Sequence, residues 1–197
     1  MKNTLLIVGH PDAKSYNFAL ADAYEKGVGA GAAAGAIRRL NIRDLDFNPN
    51  LQFGYRKRTE LEPDLIAAWE DIQWADHLVW VYPVWWGSVP AIMKGFIDRL
   101  FLPGFAFKKH EGSMTKWDKL LSGKTARIIQ TLDQPGWYYR LIYARPSYHA
   151  MKKLTMGFTG VRKVKATTIG PLRLSTPAWR EKQLDKVMAL GQKDTGN

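Results

Sequence analysis

Residues 76–102 read DHLVWVYPVWWGSVPAIMKGFIDRLFL, and this stretch decides the architecture. Its first part, Asp76–Pro83, is a short apolar run bounded by polar and turn residues. Such a run suits a strand buried on both faces of a parallel sheet. A loop of Pro, Trp and Gly follows. Pro90 then opens a helix that runs to Leu102, since proline's missing N–H has no partner to lose in a first turn. Working outward, the same unit recurs. Asn3–Val8 reads as a strand and Asn17 to about Ala33 as an Ala-rich helix. Ala36–Leu45 reads as a second strand, and Asp46–Glu62, with Pro49 and Gly54, as a long loop. Asp64–Trp74 is a helix behind Pro63. Lys124–Leu132 is the fourth strand, Tyr148–Phe158 a helix closed by Gly160, and Val161–Ile169 the fifth strand. Thr176-Pro177 opens a last helix to about Gln192.

Strands that alternate with helices indicate an α/β fold with one parallel sheet. The expected form is a three-layer sandwich, five strands in the order 2-1-3-4-5 with helices on both faces. No linker interrupts residues 1–197, so a single domain is expected. In open sheets of this order the ligand crevice lies beyond the carboxyl ends of strands 1, 3 and 4. That places it at Gly9–Asn17, Tyr82–Gly87 and Thr131–Tyr138.

Composition narrows the chemistry. The 197 residues hold 46% hydrophobic and 24% charged residues, which is ordinary globular usage and excludes a disordered or collagen-like chain. Cysteine is absent, so thiol nucleophiles, zinc fingers and cysteine-held iron–sulfur clusters are excluded. No metal site is expected. The apolar run Leu5–Val8 is short of the roughly 7–15 residues of a secretory signal. A cytoplasmic protein is expected. Lys and Arg number 29 against 18 Asp and Glu, a net +11. Nine of those cations lie between Gln134 and Arg180, where Asp and Glu are absent: Arg140, Arg145, Lys152, Lys153, Arg162, Lys163, Lys165, Arg173 and Arg180. A basic chain permits nucleic-acid binding, but no helix-turn-helix, zinc finger or RNP motif accompanies the charge, and none is expected.

Three loops carry candidate residues. Gly9-His10-Pro11-Asp12-Ala13-Lys14-Ser15-Tyr16-Asn17 leads into a helix N-terminus, where backbone N–H groups favour an anion such as a phosphate. The plain alternative is a helix capped by Ser15 or Asn17. In Pro83-Val84-Trp85-Trp86-Gly87 two adjacent Trp point to different faces. A planar ligand can stack there, and Gly87 lets backbone approach closely; the plain alternative is core or an oligomer interface. Thr131-Leu132-Asp133-Gln134-Pro135-Gly136-Trp137-Tyr138-Tyr139 offers a hydroxyl, a carboxylate and three aromatics, or simply a turn with a packed aromatic cluster. Gly29-Ala30-Gly31-Ala32-Ala33-Ala34 fits a dinucleotide fingerprint but follows helical pattern instead of a strand, so it is read as a helix end and turn.

At these loops the sequence resembles the flavodoxin-like NAD(P)H:quinone oxidoreductases. That family includes mammalian quinone reductase, bacterial modulator of drug activity B and the potassium-efflux ancillary oxidoreductases. His10, Ser15, Tyr16 and Asn17 match its flavin phosphate loop. Tyr82 to Phe101 matches its most specific stretch, in which Pro83, Val84, Trp85, Trp86 and Gly87 face the isoalloxazine ring. Many relatives have T-T-G-G at the third loop with a tyrosine seven residues after the second threonine. Here Thr131 and Tyr138 carry over, the glycines do not, and Asp133 stands in the loop. The family's active-site histidine falls at Ala144, with His149 nearby but out of register. Thr176–Arg180 is similar to a segment that meets the adenosine of FAD, one residue out of spacing.

The resemblance implies bound FMN or FAD, NAD(P)H as co-substrate, and ping-pong hydride transfer to quinones or other planar acceptors. Backbone N–H groups near Trp86, Gly87 and Asp133 are expected to stabilise charge on the reduced ring, and Tyr138 is the catalytic candidate. It also implies a homodimer with the site at its interface. A regulatory subunit that binds flavin and docks on a membrane transporter is the second reading.

Overall fold

The computed structural model describes residues 2–30 and 36–195. Five parallel strands form the main sheet: β1 (Thr4–Val8), β2 (Ile37–Asn41), β3 (His77–Pro83), β6 (Thr125–Thr131) and β7 (Arg162–Ile169). Their spatial order is β2-β1-β3-β6-β7, which is 2-1-3-4-5 when only this sheet is counted. The expected sheet is therefore present. A separate two-stranded antiparallel hairpin, β4 (Phe107–Lys109) and β5 (Trp117–Lys119), interrupts the chain between the third and fourth main strands.

Every residue of β1 and β3 is buried, and their side chains alternate between two cores. Leu5, Ile7, Leu78, Trp80 and Tyr82 face one layer, with α2 (Pro63–Trp74), α3 (Ala91–Leu100) and the segment 150–157. Leu6, Val8, Val79 and Val81 face the other, with α1 (Tyr16–Gly29) and α6 (Pro177–Thr195). Helices thus cover both faces, which is why β1 and β3 read as apolar runs. No helix of the described residues is long and apolar enough to cross a membrane.

Several local expectations differ from the structure. The second strand stops at Asn41, because a 3₁₀ turn over Ile42–Asp44 carries Ile42 into the core. Helix α1 ends at Gly29; the last part of the expected helix, and Gly31–Ala34 of the fingerprint-like run, lie outside the described residues. The third crevice loop is not a plain turn, since Gly136–Leu141 forms a short helix, α4, behind Pro135. The helix expected from Tyr148 begins at Pro146 (α5, Pro146–His149) and continues as a π-helical turn over Ala150–Gly157. Gly160 closes it with a φ of 103°, and a Cβ there would meet Ser122 Oγ at 2.6 Å.

A buried charge network fastens α6 to the amino end of the sheet. Arg127 of β6 grips Asp194 of α6 through two hydrogen bonds, one of 2.7 Å from Nη2 and one from Nε. Tyr24 of α1 donates to the same carboxylate at 3.0 Å, and His77 Nε2 lies 3.5 Å away. Burial alone would raise the Asp194 pKa, but hydrogen bonds and charge from Arg127 and His77 hold it well below the usual carboxylate range.

Candidate active site

The carboxyl ends of β1, β3 and β6 converge on two abutting cavities of about 200 and 700 Å³. His10, Ser15, Tyr16, Asn17, Pro83 and Thr131 line the smaller. Trp86 and Gly87 line the larger. Val84, Trp85 and Asp133 are shared by both. Residues from three distant loops are brought together because the parallel sheet ends them all on one edge.

In the smaller cavity the helix N-terminus is open. Ser15 sits at the N-cap position of α1 yet makes no side-chain cap bond, and the first turn holds no acidic residue. Its Oγ is buried and has no partner. The capping alternative therefore fails for Ser15. Asn17 does not cap either; its Oδ1 accepts a 3.2 Å hydrogen bond from Thr131 Oγ1. Tyr16 turns away and donates to the Arg180 carbonyl at 2.5 Å. Burial pushes the Tyr16 pKa up, against the nearby Arg180 charge. His10 Nδ1 accepts from the Asp12 N–H at 2.9 Å, which assigns the ring proton to Nε2. Burial pushes the His10 pKa below its ordinary value and outweighs the Asp12 hydrogen bond and charge. His10 is thus a neutral donor packed edge-on against Trp85, with ring centres 5.3 Å apart.

The larger cavity is shaped by a strained turn. Trp85 and Ser88 exchange backbone hydrogen bonds of 3.0 and 2.9 Å across Trp86-Gly87. Both central residues have positive φ, 50° and 75°, which defines a type I′ turn. A left-handed Trp costs roughly 1–2 kcal/mol. Its side chain is fully exposed, while Gly87 packs against Pro146. The N–H groups of Trp86, Gly87 and Asp133 have no acceptor among the described residues.

Tyr138 does not line either cavity. Its ring meets Trp137 and Tyr143 edge-on at 5.6 and 5.2 Å. Instead Gln134 and Tyr139 of the third loop form the wall together with Tyr143 and Pro146, the two that the sequence did not reveal. Helix α4 is the reason, since it turns Tyr139 inward, where Tyr138 was expected. Tyr139 is buried with a hydroxyl that has no partner, and burial raises its pKa above the ordinary value. Ala144, at the histidine position of the resemblance, is exposed and has a φ of 52°. His149 has a buried Nδ1 without a partner and lines neither cavity. Beneath the site, Ser147 donates to the Tyr82 hydroxyl at 3.3 Å, Tyr82 donates to Gln130 Oε1 at 3.4 Å, and Gln130 donates to Thr168 at 2.9 Å. Among the described residues no group of three or more His, Cys, Asp or Glu is placed to hold a metal ion.

The residues present fit a phosphorylated planar cofactor. A free helix N-terminus with an orphaned hydroxyl can take a phosphate, and the Trp-rich turn with three unpaired N–H groups can take the edge of a flat polar ring.

Known proteins give the same outline. An uncharacterised NAD(P)H oxidoreductase of Haemophilus influenzae is 26% identical over 177 residues, 87% of this chain and 85% of that one. Rat NAD(P)H dehydrogenase (quinone) 1 is 26% identical over 127 residues, 54% of this chain and 46% of the rat enzyme. The chain spans less than half the length of the rat enzyme, as of several other relatives it matches. A crystal structure of a Streptococcus mutans protein superposes with a TM-score of 0.84 at 27% identity, covering 97% of this chain and 99% of that one. The sequence profile described as flavodoxin-like fold matches residues 2–190, nearly the whole chain. With the sheet order and the crevice already on the same edge, the chain belongs to the flavodoxin-like fold family.

Proposed function

We propose that this chain is a flavin-dependent NAD(P)H oxidoreductase that reduces quinones or similar planar acceptors. One observation carries the reading: Ser15 Oγ is buried without a partner at the open N-terminus of α1, inside the cavity ringed by His10, Asn17 and Thr131. Leaving a buried hydroxyl unpaired costs about 1–3 kcal/mol, and a flavin phosphate would satisfy it. The names of the Haemophilus influenzae and rat relatives support the same coenzyme and, for the rat protein, the same acceptor class.

A bound flavin, FMN or FAD, would supply hydride transfer from NAD(P)H and then to the acceptor in two half-reactions. The chain's own part is binding and polarisation. Ser15, His10 and the first turn of α1 hold negative charge, and the free N–H groups of Trp86, Gly87 and Asp133 offer donors to an electron-rich ring edge. Trp85, Trp86 and Tyr143 wall a slot suited to flat acceptors. Tyr139 is closer to the slot than Tyr138 and takes over as the tyrosine of interest.

A homodimer is part of this reading. Trp137, Leu141, Ile142 and Tyr143 are all exposed beside the larger cavity, an apolar surface that a second copy would cover.

The test is direct. Flavin is released from gently purified protein and identified by mass, and NADH and NADPH oxidation are measured with menadione. Protein that neither carries flavin nor gains activity when reconstituted with FMN or FAD overturns the reading. Sedimentation as a monomer overturns the dimer.

A further inference from the structure

We propose that Arg145, Tyr148 and Lys152 form a phosphate-monoester site at the rim of the larger cavity, which reads the 2′-phosphate of NADPH and so makes NADPH the preferred coenzyme. The inference rests on the oxidoreductase reading above and extends it to the choice of nicotinamide.

The three side chains are already gathered. The Arg145 guanidinium lies 4.8 Å from the Tyr148 ring centre and the Lys152 ammonium 5.2 Å from it. Lys152 Nζ also donates to the Tyr148 hydroxyl at 2.8 Å, so that hydroxyl keeps its own hydrogen for another acceptor. Two cations on one aromatic ring repel each other. Carboxylates normally relieve such a pair, yet neither forms an ion pair among the described residues, and Asp and Glu are absent from Gln134 to Arg180. Lys153 adds a third cation next in sequence. The result is a focused positive patch with one neutral hydroxyl donor, which suits a dianionic phosphate ester.

Backbone geometry holds the patch in place. Ala144 and Arg145 are consecutive left-handed residues, with φ of 52° and 54°, directly before Pro146. Neither is glycine, so the chain is strained at the residue that presents the guanidinium. Pro146 in turn packs against Gly87 of the Trp86-Gly87 turn and lines the larger cavity. Arg145 is thus the neighbour of a residue that lines the slot proposed to receive the nicotinamide. Burial first, then the charges of Lys153, Arg145 and Lys152, push the His149 pKa below its ordinary value, which places those three cations around it.

Two readouts test this. In steady state with menadione, kcat/KM for NADPH should exceed that for NADH about ten-fold or more, the scale of a charge-assisted contact. Arg145→Gln and Lys152→Gln should each remove most of that preference through the NADPH KM and leave NADH unchanged. Lys182→Gln, an equal loss of charge on exposed α6, should change neither. Separately, calorimetry compares adenosine 2′,5′-bisphosphate, AMP and inorganic phosphate on the same samples. Tighter binding of the bisphosphate, lost in both Gln variants, is expected. Equal use of the two coenzymes, or equal binding of bisphosphate and AMP, overturns the proposal. Inorganic phosphate that competes as well as the bisphosphate makes the patch a general anion site and overturns the coenzyme assignment. If neither coenzyme is oxidised but the bisphosphate still binds as expected, the oxidoreductase reading fails and the phosphate site stands.

Discussion

Thr131 donates its hydroxyl hydrogen to the side-chain carbonyl of Asn17 at 3.2 Å, and both side chains are buried. The bond ties the end of β6 to the first turn of α1, the two elements that must stay in register for a phosphate pocket to exist. Thr131→Val keeps the shape but leaves Asn17 Oδ1 without a donor. It should cost about 1–3 kcal/mol, read as a lower urea midpoint at unchanged slope. An unchanged midpoint would show that the bond carries nothing.

Ser15→Ala separates ligand binding from folding. The Ser15 hydroxyl has no partner, so its loss should leave the flavin-free protein as stable as before or slightly more so. Flavin affinity should fall about ten-fold or more, the scale of one hydrogen bond to a charged group. Fluorescence titration with FMN and FAD measures it, and equal affinity in the two proteins would sink the phosphate assignment.

Trp86 is strained and fully exposed. Trp86→Gly should therefore raise stability by about 1 kcal/mol, since glycine occupies the left-handed region without cost. The KM for menadione should rise roughly 2–10-fold through lost ring contact. Gly87→Ala should act oppositely, losing stability because of its φ of 75° and a Cβ 3.2 Å from Pro146. Thermal melts and acceptor kinetics on both variants decide the matter; a destabilised Trp86→Gly would contradict the strain.

The Asp194 network sets an acid limit. Its carboxyl has a pKa below the unfolded value, so its stabilisation is complete above about pH 4 and declines as pH falls toward the folded pKa. Asp194→Asn leaves Arg127 buried without a counter-charge and should cost about 3–5 kcal/mol at pH 7. The gap between the two proteins should narrow below pH 4. Urea melts from pH 7 to pH 3 test this, and a constant gap would contradict it.

The centre of the sheet was legible because β1 and β3 are buried on both faces and read as unbroken apolar runs, whereas the edge strands β2 and β7 carry exposed Arg and Lys and show a weaker apolar pattern. The crevice was legible because the order 2-1-3-4-5 fixes which strand ends meet. What the sequence hid has a common cause: packing between residues far apart in the chain. Strands β4 and β5 are three residues each and carry no periodic signal; Trp117 of β5 is held by stacking on Phe158 at 4.5 Å. Helix α4 hides behind Pro135-Gly136 and a run of aromatics, which look like a turn; the seven-residue spacing of the resemblance points to Tyr138, whereas the helix turns Tyr139 into the cavity. The π-helical turn over Ala150–Gly157 keeps a helical pattern in sequence, so nothing in the sequence marks it, and Arg145 and Lys152 meet on the ring of Tyr148 just ahead of it.

Because β1 and β3 are apolar on both sides, a one-residue slip of either would expose nothing to water. It would merely exchange the residues of one core for those of the other. Hydrophobic burial alone is thus a poor guard of alignment here. The guard is the few polar side chains inside the sheet, whose partners stand at fixed places: His77 with Thr125 at 2.7 Å and Asp194 at 3.5 Å, Arg127 with Asp194, and Gln130 with Thr168 and Tyr82. They act as keys that fit only one set of locks. Replacing them with apolar residues of equal size would leave the molecule as greasy as before but free to choose among alignments, and only one alignment brings Thr131 to Asn17.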